Sequence, residues 1–368
     1  MRKVLLQVVL LSAAVLYGIV AERRGLPPAG WLKELRERMA HDDDNTPAPL
    51  PDPDVKALIS VTPHTVDSMR ALMIDLVFGP AGPPTVLPDT IAAVTDPNYA
   101  DLRGLDRLER FVVVQEHDIR SVGYIFHPLN SNGRLMLYHQ GHDGDFIHGK
   151  HSIAYFVERG FTVYAFCMPL IGLNNQPVVE LGKLGHVRME RHGNLQYLDH
   201  PIRFFMAPVT VMLNHAERMG FTDVSMTGIS GGGWTTTMAA ALDVRIKHSF
   251  PVAGTYPMFI RFQRPDKNMG DFEQWYAGLV PYVDYLDMYV LGASGEGRSQ
   301  VQVLNTYDPC CFDGDDHSKY SGHVADAVRA IGAGSFRVYA DPTLRKHDIS
   351  MPALDEMARE LGLAVDPR

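Results

Sequence analysis

The sequence contains few cysteines. Only Cys167, Cys310 and Cys311 occur among its 368 residues, and an odd number leaves at least one thiol unpaired, which excludes a disulfide framework as the basis of the fold. A bond between the adjacent Cys310 and Cys311 is uncommon because it strains the backbone between them. We therefore expect all three cysteines to be buried as small apolar side chains.

The sequence also lacks a run of basic residues, an internal repeat and an extended low-complexity tract. Its formal net charge is −9, whereas binding to a nucleic-acid duplex depends largely on Lys and Arg that neutralise phosphates. Nucleic acid is therefore excluded as the leading partner. With 46% hydrophobic residues, 21% charged residues, 32 glycines and 25 prolines, the composition is typical of a globular protein of enzyme size, and not of a disordered or fibrous one.

One long hydrophobic run is present, at the N-terminus. Residues 4–21, VLLQVVLLSAAVLYGIVA, form an uncharged apolar stretch between Lys3 and Glu22, close to the minimum length of a membrane-spanning helix and long for the apolar part of a cleaved signal. We expect residues 1–21 to be a signal peptide or membrane anchor, so that the protein is exported and is periplasmic or membrane-anchored. An acidic, proline-rich stretch follows, and residues 22–60 are expected to form a linker.

The rest of the chain, residues 61–368, has the pattern of one α/β domain. Residues 107–117 and 121–128 predict an antiparallel strand pair, and residues 65–78 predict a helix. Six further short apolar runs predict strands: RLMLYH (134–139), FTVYAF (161–166), DVSMTG (223–228), HSFPVA (248–253), VQVLNTY (301–307) and SFRVYA (335–340). Helical patterns lie between most of them, which predicts a mostly parallel, twisted sheet with helices on both faces. These helical patterns are residues 149–160, 201–220, 232–242, 322–332 and 349–362.

The stretch MTGISGGGW places Ser230 between glycines, after a predicted strand and before an alanine-rich helical pattern. Gly228, Ser230 and Gly232 fit the pattern G-x-S-x-G, in which a serine is held on a sharp strand-to-helix turn with its hydroxyl exposed. The helix that begins there directs its N-terminal N–H groups to the same point, and the N–H of Gly231 can donate to an oxyanion. Ser230 is therefore the candidate nucleophile.

A serine nucleophile requires a base and an acid that orients the base. His347 follows the last predicted strand in a loop, in the chain order serine, acid, histidine, and it is the candidate base among the 16 histidines. Asp308 directly follows the preceding strand and is the candidate acid. The alternatives that the sequence leaves open are Asp271, Asp313, Asp315 and Asp316.

The loop YHQGHDGDFIHG, residues 138–149, is rich in histidine and aspartate. Imidazole and carboxylate suit zinc, but the spacing of His139, His142, Asp143, Asp145 and His148 matches no zinc motif, so we expect no metal ligand. The loop follows the third predicted strand, where hydrolases with a G-x-S-x-G serine take their second oxyanion donor from the backbone. The N–H of His142 is therefore the candidate donor that acts with Gly231.

From about residue 108 to residue 360, the order of the strands, the G-x-S-x-G turn, the loop at His142 and the late His347 resemble the α/β-hydrolase superfamily, and most of all its bacterial esterases of acetyl-xylan-esterase or dienelactone-hydrolase type. The resemblance implies an eight-stranded sheet, a catalytic triad of Ser230, Asp308 and His347, and no cofactor.

Two long connections do not fit an ordinary strand-to-helix loop. We expect cap insertions near residues 170–199, after the fourth predicted strand, and near residues 254–292. Together these features favour a serine hydrolase, most simply a carboxylic ester hydrolase that acts on a small-molecule ester through an acyl-enzyme at Ser230. A peptidase or amidase with the same fold is an alternative. So is a non-catalytic, membrane-tethered binding module that has kept the fold.

Overall fold

The computed structural model describes residues 53–264, 267 and 269–365. The predicted signal or anchor at residues 1–21 and most of the predicted linker lie outside these residues. No helix within the described residues has the length and apolar character that crossing a membrane requires.

Eleven strands occur in the described chain. Their bounds are β1 Thr90–Val94, β2 Leu105–Val114, β3 Arg120–Pro128, β4 Leu135–His139, β5 Thr162–Phe166, β6 Val178–Glu180, β7 His186–Arg188, β8 Val224–Ile229, β9 Ile246–Val252, β10 Ser299–Asn305 and β11 Ser335–Asp341. Nine of them form one sheet in the order β1-β2-β3-β5-β4-β8-β9-β10-β11, and β6 pairs with β7 in a separate ribbon. All eight strands predicted for the sheet are present.

The sheet is mostly parallel. The six strands from β5 to β11 in this order are parallel to one another, whereas the pairs β1–β2, β2–β3 and β3–β5 are antiparallel. Every residue of β4, β5, β8 and β10 is buried, which explains why the sequences of β4 and β5 are nearly continuous apolar runs. Because parallel strands end at a common edge, the loops after β4, β8, β10 and β11 open at the same edge of the sheet.

The sheet has nine strands where the sequence predicted eight. The additional strand, β1, pairs with β2 at one edge, and none of its residues is buried. An edge strand without a buried face does not need the alternation of apolar and polar residues that identifies a strand in a sequence. The α/β class itself is confirmed.

Nine α-helices are described. They are α1 Val55–Leu58, α2 Val66–Phe78, α3 Lys150–Val157, α4 Arg203–Arg218, α5 Gly231–Leu242, α6 Met258–Arg261, α7 Tyr285–Ala293, α8 Ser321–Ile331 and α9 Met351–Glu360. The sequence predicted α2, α3, α4, α5, α8 and α9. Helix α7 was not predicted as a helix because all nine of its residues are buried, which removes the amphipathic period from its sequence.

Helices cover both faces of the sheet. Side chains of β4 alternate between two buried apolar clusters: Leu135 and Leu137 belong to one, Met136 and Tyr138 to the other. The first cluster includes side chains of α2, α4, α5, α7 and α8, and the second includes those of α3 and α9. The two predicted insertions lie in this frame: the first contains β6, β7 and a 3₁₀ helix at His192–Tyr197, and the second contains α6, a 3₁₀ helix at Phe272–Trp275 and most of α7.

Candidate active site

Ser230 occupies a strained turn between β8 and α5. Its backbone angles are φ 58° and ψ −123°, a conformation that a residue with a side chain adopts only where its surroundings enforce it. Two hydrogen bonds do so: the N–H of Ser230 donates to the carbonyl of Val252 at 2.9 Å, and its carbonyl accepts from the N–H of Trp234 at 2.9 Å. The turn therefore fixes the direction in which the Ser230 side chain leaves the backbone.

The glycines that flank Ser230 are required by close packing. A Cβ atom on Gly228 would come within 2.6 Å of the carbonyl oxygen of His139, and one on Gly232 would overlap the same oxygen. Strand β4 and the start of α5 therefore approach each other more closely than side chains allow. This is the physical reason for the G-x-S-x-G spacing in this chain.

His347 and Asp308 are joined by a hydrogen bond. The Nδ1 atom of His347 lies 2.8 Å from Oδ2 of Asp308, whose side chain is fully buried. The other carboxylate oxygen, Oδ1, accepts the N–H of Cys310 at 2.8 Å, and Oδ2 also accepts Nδ2 of Asn305 at 3.3 Å. A carboxylate acceptor at Nδ1 holds the proton on that nitrogen and leaves the lone pair on Nε2.

The Nε2 atom of His347 is buried and has no hydrogen-bond partner among the described residues. The hydrogen bond to Ser230 that the sequence predicts is therefore not formed in this structure. Both residues nevertheless follow parallel strands, β8 and β11, at the same edge of the sheet. In hydrolases without bound substrate this hydrogen bond is often long and shortens in the complex.

The four alternative acids have other partners or positions. Asp313 pairs with Arg264 at 2.9 Å and with Lys267 at 2.7 Å. Asp316 pairs with Lys319 at 3.1 Å, and Asp315 precedes a 3₁₀ helix as its N-cap residue. Asp271 lies 3.2 Å from the imidazole of His142. Among the described residues, Asp308 is the acid that forms an ion pair with His347.

The loop after β4 lies directly against Ser230. A Cβ atom on Gly141 would be 2.7 Å from Cβ of Ser230 and 3.4 Å from its Oγ, so only glycine allows this approach. The ring of His142 packs on Gly231, where an added Cβ would lie 2.6 Å from Nδ1. Within the described chain, the N–H groups of His142 and Gly231 donate to no other backbone group, and the loop brings both residues beside the serine.

The remaining polar residues of this loop bind within the loop itself. Asp143 accepts from the side chain of Gln140 at 2.7 Å, Asp145 accepts from the N–H of Ile147 at 2.7 Å, and the ring of His139 hydrogen-bonds the carbonyl of Gln140 at 2.9 Å. The described part of the loop gathers no metal-ligand set from its own residues alone, but His142 is grouped with three possible ligands from elsewhere in the chain.

The side chain of His142 faces three residues from the two insertions, His192, Asp271 and Glu273. Burial lowers the pKa of His142, but hydrogen bonds to Asp271 and Glu273 outweigh it and raise the pKa to about 9. Burial raises the pKa of Glu273, but hydrogen bonds to His142 and His192 lower it to about 2. The two carboxylates therefore favour a positive charge at this point. The sequence does not point to His192 and Glu273, because no spacing rule links residues on separate insertions.

The expectation for the cysteines was wrong for two of the three. The structure joins Cys310 and Cys311 as a vicinal disulfide, while Cys167 is a free, buried thiol as expected. The N–H groups of both bonded cysteines point at Oδ1 of Asp308, at 2.8 Å and 3.4 Å. These hydrogen bonds fix the backbone turn that brings the adjacent sulfur atoms together, next to the candidate triad acid.

Comparison with known proteins finds similarity only in three dimensions. No family profile matches the sequence, and no curated protein matches it significantly. Among solved structures, acetyl xylan esterase 1 from Thermoanaerobacterium sp. JW/SL YS485 is 14% identical, with a TM-score of 0.54 over 85% of this chain and 98% of that chain. An acetyl xylan esterase from Paenibacillus sp. R4 is also 14% identical, with a TM-score of 0.50 over the same shares of the two chains.

A third similar structure is the methylesterase BT1017, which is 13% identical, with a TM-score of 0.54 over 85% of this chain and 66% of that chain. At these identities the similarity establishes a common fold, which agrees with the resemblance predicted from the sequence motifs.

Proposed function

We propose that this chain, which has the α/β-hydrolase fold, is a serine-dependent carboxylic ester hydrolase. The observation that supports this most directly is the combination, at one edge of the sheet, of a strained serine turn and a fully buried Asp308 bonded to His347, whose Nε2 has no hydrogen-bond partner among the described residues. A buried carboxylate is costly to desolvate, and a buried polar atom that is left without a partner in such a pair is typical of a functional site. The fold shared with several esterases also supports ester hydrolysis.

In the proposed first step, Oγ of Ser230 attacks the ester carbonyl carbon and its proton passes to Nε2 of His347. Asp308 stabilises the imidazolium that forms and keeps its ring oriented. The tetrahedral intermediate then collapses, the bond to the alcohol oxygen breaks, and Nε2 returns the proton to the leaving alcohol. The product of this step is an acyl ester of Ser230.

In the second step, water attacks the acyl-enzyme and gives a proton to Nε2 of His347. As the second tetrahedral intermediate collapses, the bond to Oγ of Ser230 breaks, His347 returns the proton to Oγ, and the acid is released. The carbonyl oxygen carries negative charge in both intermediates. We assign its two hydrogen-bond donors to the N–H groups of Gly231 and His142, because both residues adjoin Ser230. The N-terminus of α5 adds a favourable dipole at the same point.

The test is hydrolysis of p-nitrophenyl acetate by the purified full chain and by its Ser230→Ala variant. We expect burst kinetics for the wild type and loss of nearly all activity in the variant. Ser225→Ala, a buried serine of β8 outside the turn, is the matched control. Equal hydrolysis by the wild type and Ser230→Ala would remove the serine from the mechanism.

Two alternatives are separated from this proposal by further assays. A peptidase or amidase uses the same triad. If the protein is one, its kcat/KM for peptide or amide substrates will be higher than its kcat/KM for esters. A non-catalytic binding module would fold normally but would not react at Ser230 with a fluorophosphonate probe. Labelling of Ser230 together with faster turnover of esters than of amides is the result that we expect.

We also propose that residues 1–21 direct the protein out of the cytoplasm, either as a cleaved signal or as a membrane anchor. The support is the uncharged apolar run at residues 4–21. Cell fractionation combined with the mass of the mature chain tests this. A full-length chain in the cytoplasmic fraction would contradict export, and a mature chain shortened at its N-terminus would identify a cleaved signal.

A further inference from the structure

We propose that His142, His192, Asp271 and Glu273 form a divalent metal site, most suited to Zn²⁺, that links the two insertions to the loop beside Ser230. The proposal concerns binding of an ion and does not depend on the esterase activity. The four residues each offer one ligand atom: Nε2 of His142, Nδ1 of His192, Oδ2 of Asp271 and Oε1 of Glu273.

The distances between these atoms fit a tetrahedral ion. Nε2 of His142 lies 3.2 Å from Nδ1 of His192, 3.0 Å from the Glu273 oxygen and 3.2 Å from the Asp271 oxygen. Nδ1 of His192 lies 3.5 Å from the Glu273 oxygen and 3.9 Å from the Asp271 oxygen. A zinc ion about 2.1 Å from each of four ligands separates them from one another by about 3.4 Å. These five separations are therefore close to those around a tetrahedral ion, and all four atoms lie within 4.8 Å of one another.

Hydrogen bonds in the surrounding structure hold His192 in the form that binds a metal. Its Nε2 lies 2.9 Å from the carbonyl oxygen of Pro169, and because a carbonyl can only accept, Nε2 carries the proton. In a neutral imidazole the lone pair is then on Nδ1, which faces the cluster. A carbonyl acceptor on the far nitrogen is a common second contact of metal-binding histidines.

The two carboxylates have few hydrogen-bond and ion-pair partners, and a bound cation would supply one. The side chain of Glu273 is fully buried, and its second oxygen, Oε2, has no hydrogen-bond partner among the described residues. Asp271 stands at the N-cap position of the 3₁₀ helix Phe272–Trp275 but makes no side-chain capping hydrogen bond; instead, Oδ2 faces His142. In the described chain, the ion pairs of both carboxylates are with histidine, and neither has a Lys or Arg partner.

A single proton on His142 does not account for the close approach of these four atoms. When His192 is neutral, with its proton on Nε2 facing the carbonyl of Pro169, three of the four atoms are acceptors, and the N–H that faces them is that of His142. One proton cannot make three good hydrogen bonds in different directions. A divalent cation binds all four lone pairs at once and balances the charge of the two carboxylates. Two imidazoles and two carboxylates are also a donor set that zinc accepts.

The position of the site indicates what the ion does. His192 belongs to the first insertion, Asp271 and Glu273 to the second, and His142 to the loop after β4. The ring of His142 also packs on Gly231, next to the candidate nucleophile. A bound ion would fix both insertions and this loop relative to one another, which makes it a positioning element and not a participant in the reaction.

The experiment measures zinc binding by the full chain after treatment with a chelator. We expect one tightly bound Zn²⁺ per chain and a rise in the midpoint of thermal unfolding when Zn²⁺ is added. Co²⁺ in the same site should give the intense visible absorption of a four-coordinate ion without a thiolate band. Absence of stoichiometric Zn²⁺ binding by the wild type would overturn the proposal and leave a protonated His142 as the occupant.

Variants identify the site. His192→Phe removes the ligand but keeps a ring against Phe205, whose centroid lies 4.9 Å away, and it should abolish stoichiometric binding. Asp271→Asn changes an exposed side chain, cannot impair folding through the core, and should weaken zinc binding at least tenfold. His323→Phe, at an exposed histidine of α8, is the matched control and should bind as the wild type does. Unchanged binding by Asp271→Asn and His192→Phe would refute the assignment.

A second cluster, of Cys310, Cys311 and His347, could also hold an ion if the disulfide were reduced. The double variant Cys310→Ser/Cys311→Ser separates the two sites. Full zinc binding and an unchanged Co²⁺ spectrum in the double variant support the histidine–carboxylate site. Loss of binding in the double variant alone would place the ion at the cysteines and contradict the proposal. Ser230 labelling is not needed for either result, so failure of the esterase proposal is recognised separately.

Discussion

Asp308 and His347 are 39 residues apart in the sequence and 2.8 Å apart in the structure, between Oδ2 and Nδ1. The contact forms because β10 and β11 are parallel neighbours whose carboxyl ends meet at one edge of the sheet. Ser230 follows β8, two strands away from β10 in the same sheet. The order of the strands therefore brings to one edge three residues that lie far apart in the chain.

Replacing Asp308 with Asn should lower kcat for p-nitrophenyl acetate by about 10³- to 10⁴-fold. The amide nitrogen of Asn would favour the His347 tautomer with its proton on Nε2, which cannot accept a proton from Ser230. The amide oxygen can still accept the N–H of Cys310, so the fold should persist, as thermal unfolding would verify. Asp313→Asn, at a nearby acid paired with Arg264, is the control. A folded Asp308→Asn protein with wild-type kcat would exclude Asp308 as the triad acid.

Replacing Gly141 with Ala should impair the site through packing. The added Cβ would lie 2.7 Å from Cβ of Ser230, so the loop must move away from the nucleophile, and a displacement of about 1 Å can reduce kcat/KM by about 100-fold. Gly322→Ala is the matched control: it lies in α8 with open space around it and should stabilise the protein by about 0.5–1 kcal/mol. The measurements are kcat/KM and urea unfolding. Wild-type kcat/KM in Gly141→Ala would show that this loop does not form the oxyanion site.

Stability toward acid should depend on His139. This residue ends β4, is buried, and stacks on Phe166 at 5.8 Å between ring centroids. Burial lowers its pKa to about 4, against an ordinary value of 6.5. Between these two pH values the unfolded chain binds a proton at His139 and the folded chain does not. The contribution of a neutral His139 to the free energy of unfolding is therefore fully present above pH 6.5 and is lost as the pH falls toward 4. The loss is up to about 3 kcal/mol.

The measurement is the free energy of unfolding from pH 7.5 to pH 4.5 for the wild type and for His139→Phe. The variant keeps a ring against Phe166 and should show a shallower decline, whatever its stability at neutral pH. His323→Phe, which changes an exposed histidine, should decline as the wild type does. Parallel curves for the wild type and His139→Phe would mean that His139 is not a source of acid sensitivity.

Replacing Tyr285 with Phe should weaken the contact between the second insertion and α5, the helix that follows Ser230. The hydroxyl of Tyr285 donates to the carbonyl of Gln274 at 2.6 Å and accepts from Nε1 of Trp234 at 3.0 Å. Its removal leaves two buried polar groups without a partner, at a cost of about 1–3 kcal/mol. Tyr282→Phe, at an exposed tyrosine, should change stability little. Equal urea midpoints for the two variants would contradict this role.

The local patterns of the sequence predicted much of the fold correctly. Strands β4 and β5 are buried on both faces, so their sequences are nearly continuous apolar runs that can be recognised without a structure. The turn at Ser230 could also be predicted from the G-x-S-x-G pattern. That pattern reflects a steric requirement, because the carbonyl of His139 leaves no room for side chains at Gly228 and Gly232. By contrast, the sequences of β1 and α7 show no alternation of apolar and polar residues at the strand or helix period. Strand β1 has no buried residue, and α7 is wholly buried.

The sequence by itself determined the α/β class, the tight serine turn and the candidate residues that follow the strand ends, because each depends on neighbours within a few positions of the chain. The tertiary structure alone decided that Asp308 bonds His347 and that His142 meets His192, Asp271 and Glu273. These contacts join segments separated by long insertions, and their geometry depends on how those insertions pack. No local spacing encodes such packing, so residues that gather around one point can be found only once the chain is folded.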